Sequence, residues 1–340
     1  MKSFFGTNAN AFIIAEIGVN HEGSLDLAKQ LIQQAKGCGF DAVKFQHILP
    51  SKIWHDNFPS ELRLSEKESL SNNFLINVSN YAHKLGIKVG CTPTFQESSS
   101  TIYQANCDYI KVASPQSKYD WFILDEAIDT SLPLVVSNGH CDYASSLKLV
   151  NYLVKNATQQ PIAFLYCVSA YPADSVAMDY DEIDKLSDLC KRSSIAFGLS
   201  DHNQSLYHAL KMKHEYRAYI FEKHFSLEST ASLDKDVSIY SYQATEYVRQ
   251  LNMPVYNNTT DREDILQDKS ILFSSSFYLK KDVKKGDVFC LNDCNRLRDG
   301  QIDKINTFDS HLFLTGYNNL KYTSNLSANH RLTESDLHQM

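Results

Sequence analysis

Two short apolar runs in this chain each end on a histidine, His202 and His224. Both runs, 195–202 and 219–224, are typical of β-strands, and a helical segment separates them. In a parallel barrel, consecutive strands deliver their last side chains to the mouth where active sites lie. A lone histidine is more often a hydrogen-bonded core residue, whereas two converging imidazoles favour a divalent metal site. Asp201 and Glu222 precede the histidines and are candidates to orient the two rings.

Two lysines, Lys44 and Lys111, interrupt apolar strand patterns elsewhere in the chain. A lysine in a buried strand is costly unless it is paired or directed at an anion. Each lysine alone would be explained as a surface residue with its stem laid along the protein. The two together, with the hydroxyls of Ser114 and Ser137, favour a single site for a phosphate or a carboxylate.

Polar residues also end other predicted strands. Glu16 ends the first strand and is either a structural acid inside the barrel or a functional carboxylate at its mouth. Thr92 and Ser169 belong to turns whose hydroxyls and glycines suit close approach to an anion. These turn residues are weak indications by themselves, because turns are rich in them in any protein.

The elements needed to position these residues alternate regularly between strand-like and helix-like segments. Eight βα units predict a (β/α)8 TIM barrel rather than an open sheet. The chain contains no G-x-G-x-x-G and no G-x-x-x-x-G-K-[ST], which counts against the main nucleotide-binding folds. We predict a barrel over 1–255, a polar linker over 256–270, and a small, mostly β domain over 271–340. The predicted strands are 12–17, 42–46, 88–92, 109–113, 134–137, 163–167, 195–199 and 219–224.

The bulk composition excludes several classes of protein. The chain has 340 residues, a net charge of −7 and a pI near 5.9, so nothing indicates binding to nucleic acid or to a membrane. Eight cysteines without a C-x-x-C pair predict reduced thiols and a cytoplasmic location. No apolar run approaches the length of a membrane span.

Several short strings together resemble the sialic acid synthase family, and the likeness covers nearly the whole chain. In the family's order they are AEIGVNHEGS, DAVKFQ, CTPT, KVAS, SAYP, GLSDH and EKHF. The tail resembles that family's antifreeze-like (SAF) domain. The SAYP turn is more similar to the branch that makes pseudaminic or legionaminic acids than to the N-acetylneuraminate branch, and such products feed bacterial surface glycans.

The resemblance implies a reaction. The family condenses phosphoenolpyruvate with an N-acetylated aldose, a 2-acetamido or 2,4-diacetamido hexose, and water. The products are a nine-carbon 2-keto sugar acid and phosphate, which leaves by C–O cleavage. A divalent metal, Mn²⁺ or else Mg²⁺ or Co²⁺, polarises the aldehyde.

The resemblance also implies roles for individual residues. His202 and His224 match the metal ligands, and Glu16 lies close to the acceptor sugar. An arginine of the second domain, with Arg298 as the best match and Arg296 as the alternative, would reach the partner's barrel in a domain-swapped homodimer. Phosphoenolpyruvate and acceptor positions match Lys44, Gln46, Thr92, Lys111, Ser114, Ser137, Ser169, Tyr171 and Asp234.

The sequence departs from the family pattern at a few positions. Gln116 stands where the family usually has a catalytic acid, and an amide cannot take a proton. Thr94 replaces a common Phe, and either Asp234 or Asp236 matches the acceptor-site aspartate. These departures keep two alternatives open, a catalytically weakened paralogue that binds a sugar or a partner, and another phosphoenolpyruvate-dependent sugar-acid synthase.

Overall fold

Eight parallel strands close into a barrel in the order β1 to β8, in a computed structural model of the chain. The model describes residues 4–6, 10–55, 57, 69–230, 233–254, 276–297 and 320–339. The (β/α)8 prediction is therefore confirmed, with strand bounds within two residues of those expected. The strands are β1 (Phe12–Gly18), β2 (Ala42–His47), β3 (Lys88–Pro93), β4 (Tyr109–Val112), β5 (Leu134–Ser137), β6 (Ile162–Cys167), β7 (Ala196–Asp201) and β8 (Ile220–His224).

Helices follow the strands along the chain, and each longer helix turns an apolar face inward. Polar side chains cap several of them; Ser24, Ser71 and Asp179 each accept a hydrogen bond from a backbone N–H of the first turn. The helices are α1 (Leu25–Cys38), α2 (Pro50–Ile53), α3 (Asn72–Leu85), α4 (Ser98–Gln104), α5 (Ser114–Tyr119), α6 (Trp121–Asp129), α7 (Tyr143–Asn156), α8 (Tyr180–Arg192), α9 (Tyr207–Tyr216) and α10 (Ser241–Leu251).

The inside of the barrel changes from apolar to polar along the strands. Near the amino-terminal ends, Phe12, Ile14, Tyr109 and Leu165 form a closed apolar cluster. Side chains alternate across each strand, so the next inward residue of β1 after Ile14 is Glu16. The inward charged residues Lys44, Lys111 and Glu222 lie at a similar level along the barrel axis. The polar side chains are therefore gathered at the carboxyl-terminal mouth.

The chain divides into two units, Met1–Pro254 and Val255–Met340. The described part of the second unit contains two antiparallel strand pairs around a small apolar core. Its strands are β9 (Ser276–Leu279), β10 (Cys294–Leu297), β11 (Leu320–Tyr322) and β12 (Leu337–Gln339). The predicted linker, 256–270, lies outside the described residues.

None of the helices in the described ranges combines the length and the apolar character needed to cross a bilayer.

Candidate active site

A cavity of about 180 Å³ opens at the carboxyl-terminal mouth of the barrel. Its walls hold most of the residues that the sequence marked as functional. Those residues are Glu16, Lys44, Gln46, Lys111, Ser114, Ser137, Ser169, Tyr171, His202 and His224. The two predicted clusters, lysine with serine and the histidine pair, are therefore parts of one site.

A chain of buried charges crosses the floor of the cavity. Lys44 Nζ lies 3.0 Å from Glu16 Oε1 and 3.5 Å from Glu222 Oε2. Lys111 Nζ lies 3.1 Å from Glu222 Oε1, which also accepts a 2.8 Å hydrogen bond from Ser200. All of these side chains are at most 5% exposed. Glu222 thus bridges both lysines and neutralises one of their two charges.

The proximity of these charges shifts their pKa values in different directions. Burial alone would raise the pKa of Glu222, but Lys111 and Lys44 hold it well below its ordinary value. Burial would lower the pKa of Lys44, but Glu16 and Glu222 raise it. The pKa of Lys111 is lowered, because burial and the charge of Lys44 outweigh Glu222. Lys111 is therefore the cation that a negatively charged ligand would stabilise most.

The two histidine rings lie beside each other, with centroids 5.3 Å apart. His202 Nδ1 lies 2.8 Å from the Val168 carbonyl and 3.9 Å from Cys167 Sγ. A donor to that carbonyl must carry its proton on Nδ1, which leaves Nε2 as the unprotonated nitrogen of neutral His202. Burial would lower the pKa of His202, but Cys167 and the carbonyl raise it. The Tyr171 ring packs against both histidines, with its centroid 4.2 Å from that of His202.

Two carboxylates, Glu16 and Asp234, flank His224. Asp234 Oδ2 lies 3.4 Å from His224 Nδ1, and the aspartate's pKa is lowered because His224 outweighs burial. A Cβ on Gly18, whose φ is +53°, would lie 2.7 Å from Asp234 Oδ2 and 3.0 Å from Glu16 Oε1. Glycine is therefore required for the carboxylates to approach this closely. Asp236, the other candidate aspartate, is exposed, and the structure brings only Asp234 to the site.

The pKa of Glu16 shifts in the opposite direction from that of Glu222. Burial raises the pKa of Glu16, and the opposing effect of Lys44 does not cancel it. Gln46 Nε2 donates a 2.8 Å hydrogen bond to Oε1, whereas Oε2 is buried without a hydrogen bond. Glu16 is therefore a carboxyl group with one uncommitted oxygen at the cavity.

Four residues that line the cavity hold a buried polar atom without a hydrogen bond. Such atoms normally find a partner in protein, water or ligand. The four atoms are Glu16 Oε2, Ser137 Oγ, Glu222 Oε2 and His224 Nδ1. Glu222 Oε2 and His224 Nδ1 lie at ion-pair distance from Lys44 and Asp234, which leaves Glu16 Oε2 and Ser137 Oγ as the atoms that a polar ligand would satisfy.

Backbone approaches the cavity closely at Gly139, after β5. Its N–H donates a 2.9 Å hydrogen bond to Ser114 Oγ. A Cβ on Gly139 would lie 2.3 Å from Ser169 Oγ and 2.8 Å from Ser114 Oγ. The absence of a side chain therefore leaves the Ser114 and Ser169 hydroxyls close together, with Ser114 Oγ held by the Gly139 amide, as an anion site requires.

The remaining candidates lie elsewhere. Thr92 is buried, and Gln116 lies half-buried on α5; neither lines the cavity wall. Thr94 Oγ1 donates to the His47 carbonyl at 2.6 Å, so it ties the end of β3 to the end of β2. Arg298 lies outside the described residues, and Arg296 lies on β10 of the second unit.

The alternation of side chains corrects one expectation. Asp201 does not orient a histidine ring from inside the site, because its side chain points out of the barrel and pairs with Lys223. Glu222 points inward, but it contacts the lysines and Ser200 instead. Both orientations follow from the alternation of side chains along a strand. Asp201 is one position before the inward His202 and therefore points outward, whereas Glu222 is two positions before the inward His224 and therefore points inward. That signal would also have identified Ser200 and Glu222 as site residues.

In the described part of the chain, no group of three or more His, Cys, Asp and Glu side chains has the arrangement of a metal site. The predicted ligand pair, His202 and His224, therefore stays a prediction.

The family model described as "NeuB family" matches residues 31–256. The chain is 27% identical over 313 residues to the pseudaminic acid synthase of Campylobacter jejuni strain 81-176, covering 86% of this chain and 89% of that protein. It is 27% identical over 295 residues to the N,N'-diacetyllegionaminic acid synthase of Campylobacter jejuni strain NCTC 11168, covering 82% and 87%.

The fold is similar to that of the N-acetylneuraminic acid synthetase from Leptospira borgpetersenii. The TM-score is 0.67 at 22% identity, with 78% of this chain and 94% of that chain covered. At this identity the likeness concerns the fold alone.

Proposed function

Because the chain belongs to the NeuB family, we propose that it is a synthase that condenses phosphoenolpyruvate with an N-acetylated aldose and water. The products are a nine-carbon 2-keto sugar acid, of the pseudaminic, legionaminic or sialic type, and phosphate. One observation carries the proposal: a pair of buried lysines and a pair of histidines share one cavity of about 180 Å³. A phosphorylated enol and a carbonyl acceptor require those two kinds of group side by side.

Phosphoenolpyruvate would bind at the lysine end of the cavity. Lys111 and Lys44 supply the positive charge, and the Ser114 and Ser137 hydroxyls donate to the anion, with Ser114 Oγ held in place by the Gly139 amide. Glu222 holds both lysines in place before the substrate arrives. The negative charge of the substrate would then raise the pKa of Lys111 and keep it protonated.

The histidine end fits a divalent ion, Mn²⁺ or else Mg²⁺ or Co²⁺. His202 is held in one tautomer by the Val168 carbonyl, and His224 Nδ1 lies 3.4 Å from the carboxylate of Asp234. Two imidazoles leave the other coordination positions to water and substrate, which suits a catalytic ion rather than a structural one. When bound, the ion supplies Lewis-acid polarisation of the acceptor aldehyde.

Glu16 is the group that would exchange a proton with the reactants. The enol C3 forms a bond with the aldehyde carbon, water adds to C2, and the C2–O bond to phosphate breaks. Water gives up two protons: one goes to the aldehyde oxygen, and the other leaves with the phosphate when the new C2 hydroxyl becomes the keto group. The first of these transfers needs a group that exchanges a proton. Glu16 Oε2 is uncommitted, and burial raises its pKa towards the working range of such a group. Gln116 cannot do this, because an amide does not ionise.

The test is phosphate release from phosphoenolpyruvate with Mn²⁺ and a panel of 2-acetamido and 2,4-diacetamido hexoses. Release with one sugar identifies the acceptor. Phosphoenolpyruvate binding without release with any sugar would contradict the proposal and favour the weakened paralogue. Both His202→Ala and His224→Ala should abolish metal-dependent turnover, whereas His214→Ala, an exposed histidine on α9, should not.

We extend the proposal to a domain-swapped homodimer in the cytoplasm, in which Arg298 completes the partner's site. The test mixes the inactive variants His202→Ala and Arg298→Ala by refolding them together. Only a swapped dimer contains one site with both residues intact, so activity should reappear in the mixture. No recovery, with mixed dimers present, would contradict the swap.

A further inference from the structure

A buried polar cluster lies on the outer face of β7 and β8, directly behind the two histidines. Asp201 and Lys223 are register partners on these strands. Lys223 Nζ lies 3.5 Å from Asp201 Oδ2, and both side chains are at most 2% exposed. Each is the residue immediately before a histidine, so it points outward where the histidine points inward.

The cluster binds the backbone around His202. Asp201 Oδ1 accepts a 2.9 Å hydrogen bond from the N–H of Asn203, and Lys223 Nζ donates to the carbonyl of Asn203. The hydroxyl of Tyr247, from α10, donates to Asp201 Oδ2 at 3.2 Å. The residue on either side of His202 is therefore fixed to the strand that carries His224.

Packing of the outer face of β7 and β8 does not require charged residues such as Asp201 and Lys223. The other outward residues of the two strands are Phe197, Leu199 and Phe221, which are buried and apolar. A buried ion pair contributes little net stability compared with well-packed apolar residues, because desolvation offsets its attraction. What it does provide is a fixed geometry, and here that geometry concerns the spacing of the two imidazoles.

We propose that Asp201, Lys223 and Tyr247 are positioning residues that set the separation of His202 and His224 for a divalent ion. The inference rests on the proposed metal role of the histidines. Residues behind metal ligands orient them, and their loss typically costs about 10- to 100-fold in metal affinity. The cluster contacts the backbone rather than the ring nitrogens, so it fixes the position of the backbone that carries each histidine. The orientation of each ring is set by the groups that contact its nitrogens, Val168 for His202 and Asp234 for His224.

The test measures Mn²⁺ binding from the electron paramagnetic resonance signal of the free ion, without substrate. Tyr247→Phe removes one hydroxyl and keeps the ring, and Asp201→Asn keeps an acceptor for Asn203. We expect the Kd for Mn²⁺ to rise about tenfold in each variant. The Kd for phosphoenolpyruvate, measured by equilibrium dialysis without metal, should stay within about twofold, because its proposed contacts lie on other strands.

The matched control is Tyr109→Phe. Tyr109 is also fully buried, and its hydroxyl donates to the Val43 carbonyl at 3.3 Å in the apolar end of the barrel. This variant loses a comparable hydrogen bond away from the histidines, so its Kd for Mn²⁺ should equal that of the wild type. Tyr247→Phe remains informative if Asp201→Asn fails to fold.

The outcomes separate the inference from the proposed function. If the wild-type protein binds no Mn²⁺, or binds it equally well after His202→Ala, the metal site is wrong and the inference falls with it. If the wild type binds Mn²⁺ through His202, and Tyr247→Phe keeps the same Kd for Mn²⁺ and the same line shape of the electron paramagnetic resonance spectrum, the inference alone is wrong. Equal losses of Mn²⁺ affinity in Tyr247→Phe and Tyr109→Phe would also overturn it, because a general loss of stability would then be the cause.

Discussion

Glu222 is the carboxylate that holds Lys44 and Lys111, and its neutralisation should destabilise the barrel in a way that an anion can reverse. Glu222→Gln keeps the size of the side chain and an acceptor for Ser200. It removes the charge that faces both lysine ammonium groups at 3.1 and 3.5 Å. Two buried cations would then face only Glu16.

The expected magnitude follows from the burial of these groups. Removing one partner from a buried ion pair costs about 3–5 kcal/mol, and the amide's remaining hydrogen bonds place this variant near about 3 kcal/mol. For a unit of this size each kcal/mol lowers the unfolding temperature by about 2–4 °C, so we expect a fall of about 6–12 °C. The pKa of Glu222 is depressed, so its contribution is present above the ordinary value of 4.5 and is lost as the pH falls further.

The assay is thermal unfolding with and without saturating phosphoenolpyruvate. The ligand should raise the unfolding temperature of Glu222→Gln by more than that of the wild type, because its charge replaces the missing carboxylate. Glu246→Gln is the control; Glu246 forms an exposed pair with Arg249 that solvent screens, so its loss should change little. An unchanged unfolding temperature in Glu222→Gln, or equal shifts with the ligand in both proteins, would refute the role of Glu222.

Three further predictions concern the site and the barrel. Gln116→Glu should change kcat by less than about tenfold, because Glu16 moves the proton; a gain of about 100-fold or more would assign that role to position 116 instead. Gly139→Ala should raise the Kd for phosphoenolpyruvate about tenfold and leave Mn²⁺ binding unchanged, because the new Cβ would lie 2.3 Å from Ser169 Oγ. Equal binding of phosphoenolpyruvate by this variant and the wild type would contradict an anion site beside Gly139. Burial lowers the pKa of His21 to about 4 from 6.5, so the unfolded chain binds the proton first. As the pH falls from 6.5 to 4, this difference should lower the stability of the barrel by an amount that grows to about 3 kcal/mol, and urea unfolding of His21→Asn should show a shallower pH dependence than the wild type.

The barrel could be predicted from sequence because its signals are local. Each strand is a short apolar run with a turn after it, and the four longest helices, α1, α3, α7 and α8, have an amphipathic pattern and a polar cap. The prediction that Lys44 and Lys111 share one site with Ser114 and Ser137 follows from their places at strand ends. Closure of the barrel then brings those ends together, whatever the details of packing.

The bridging role of Glu222 could not be predicted in the same way. Both faces of β8 are buried, so the pattern of apolar residues alone does not orient its side chains. Alternation with His224 places Glu222 inside the barrel, but it does not show which residues Glu222 contacts. The contacts of Glu222 are to strands distant in sequence, β2 and β4, and such pairings depend on the register of the closed barrel. The outward orientation of Asp201 could be predicted from the sequence, because Asp201 precedes His202 and side chains alternate along a strand.

The most direct test of the proposed chemistry uses phosphoenolpyruvate labelled with ¹⁸O at the oxygen that bridges C2 and phosphorus. Incubation with Mn²⁺ and the accepted sugar should give a nine-carbon 2-keto acid and phosphate that carries the label, because the C2–O bond breaks. Label retained in the sugar acid, or phosphate formed without a new carbon–carbon bond, would contradict the account.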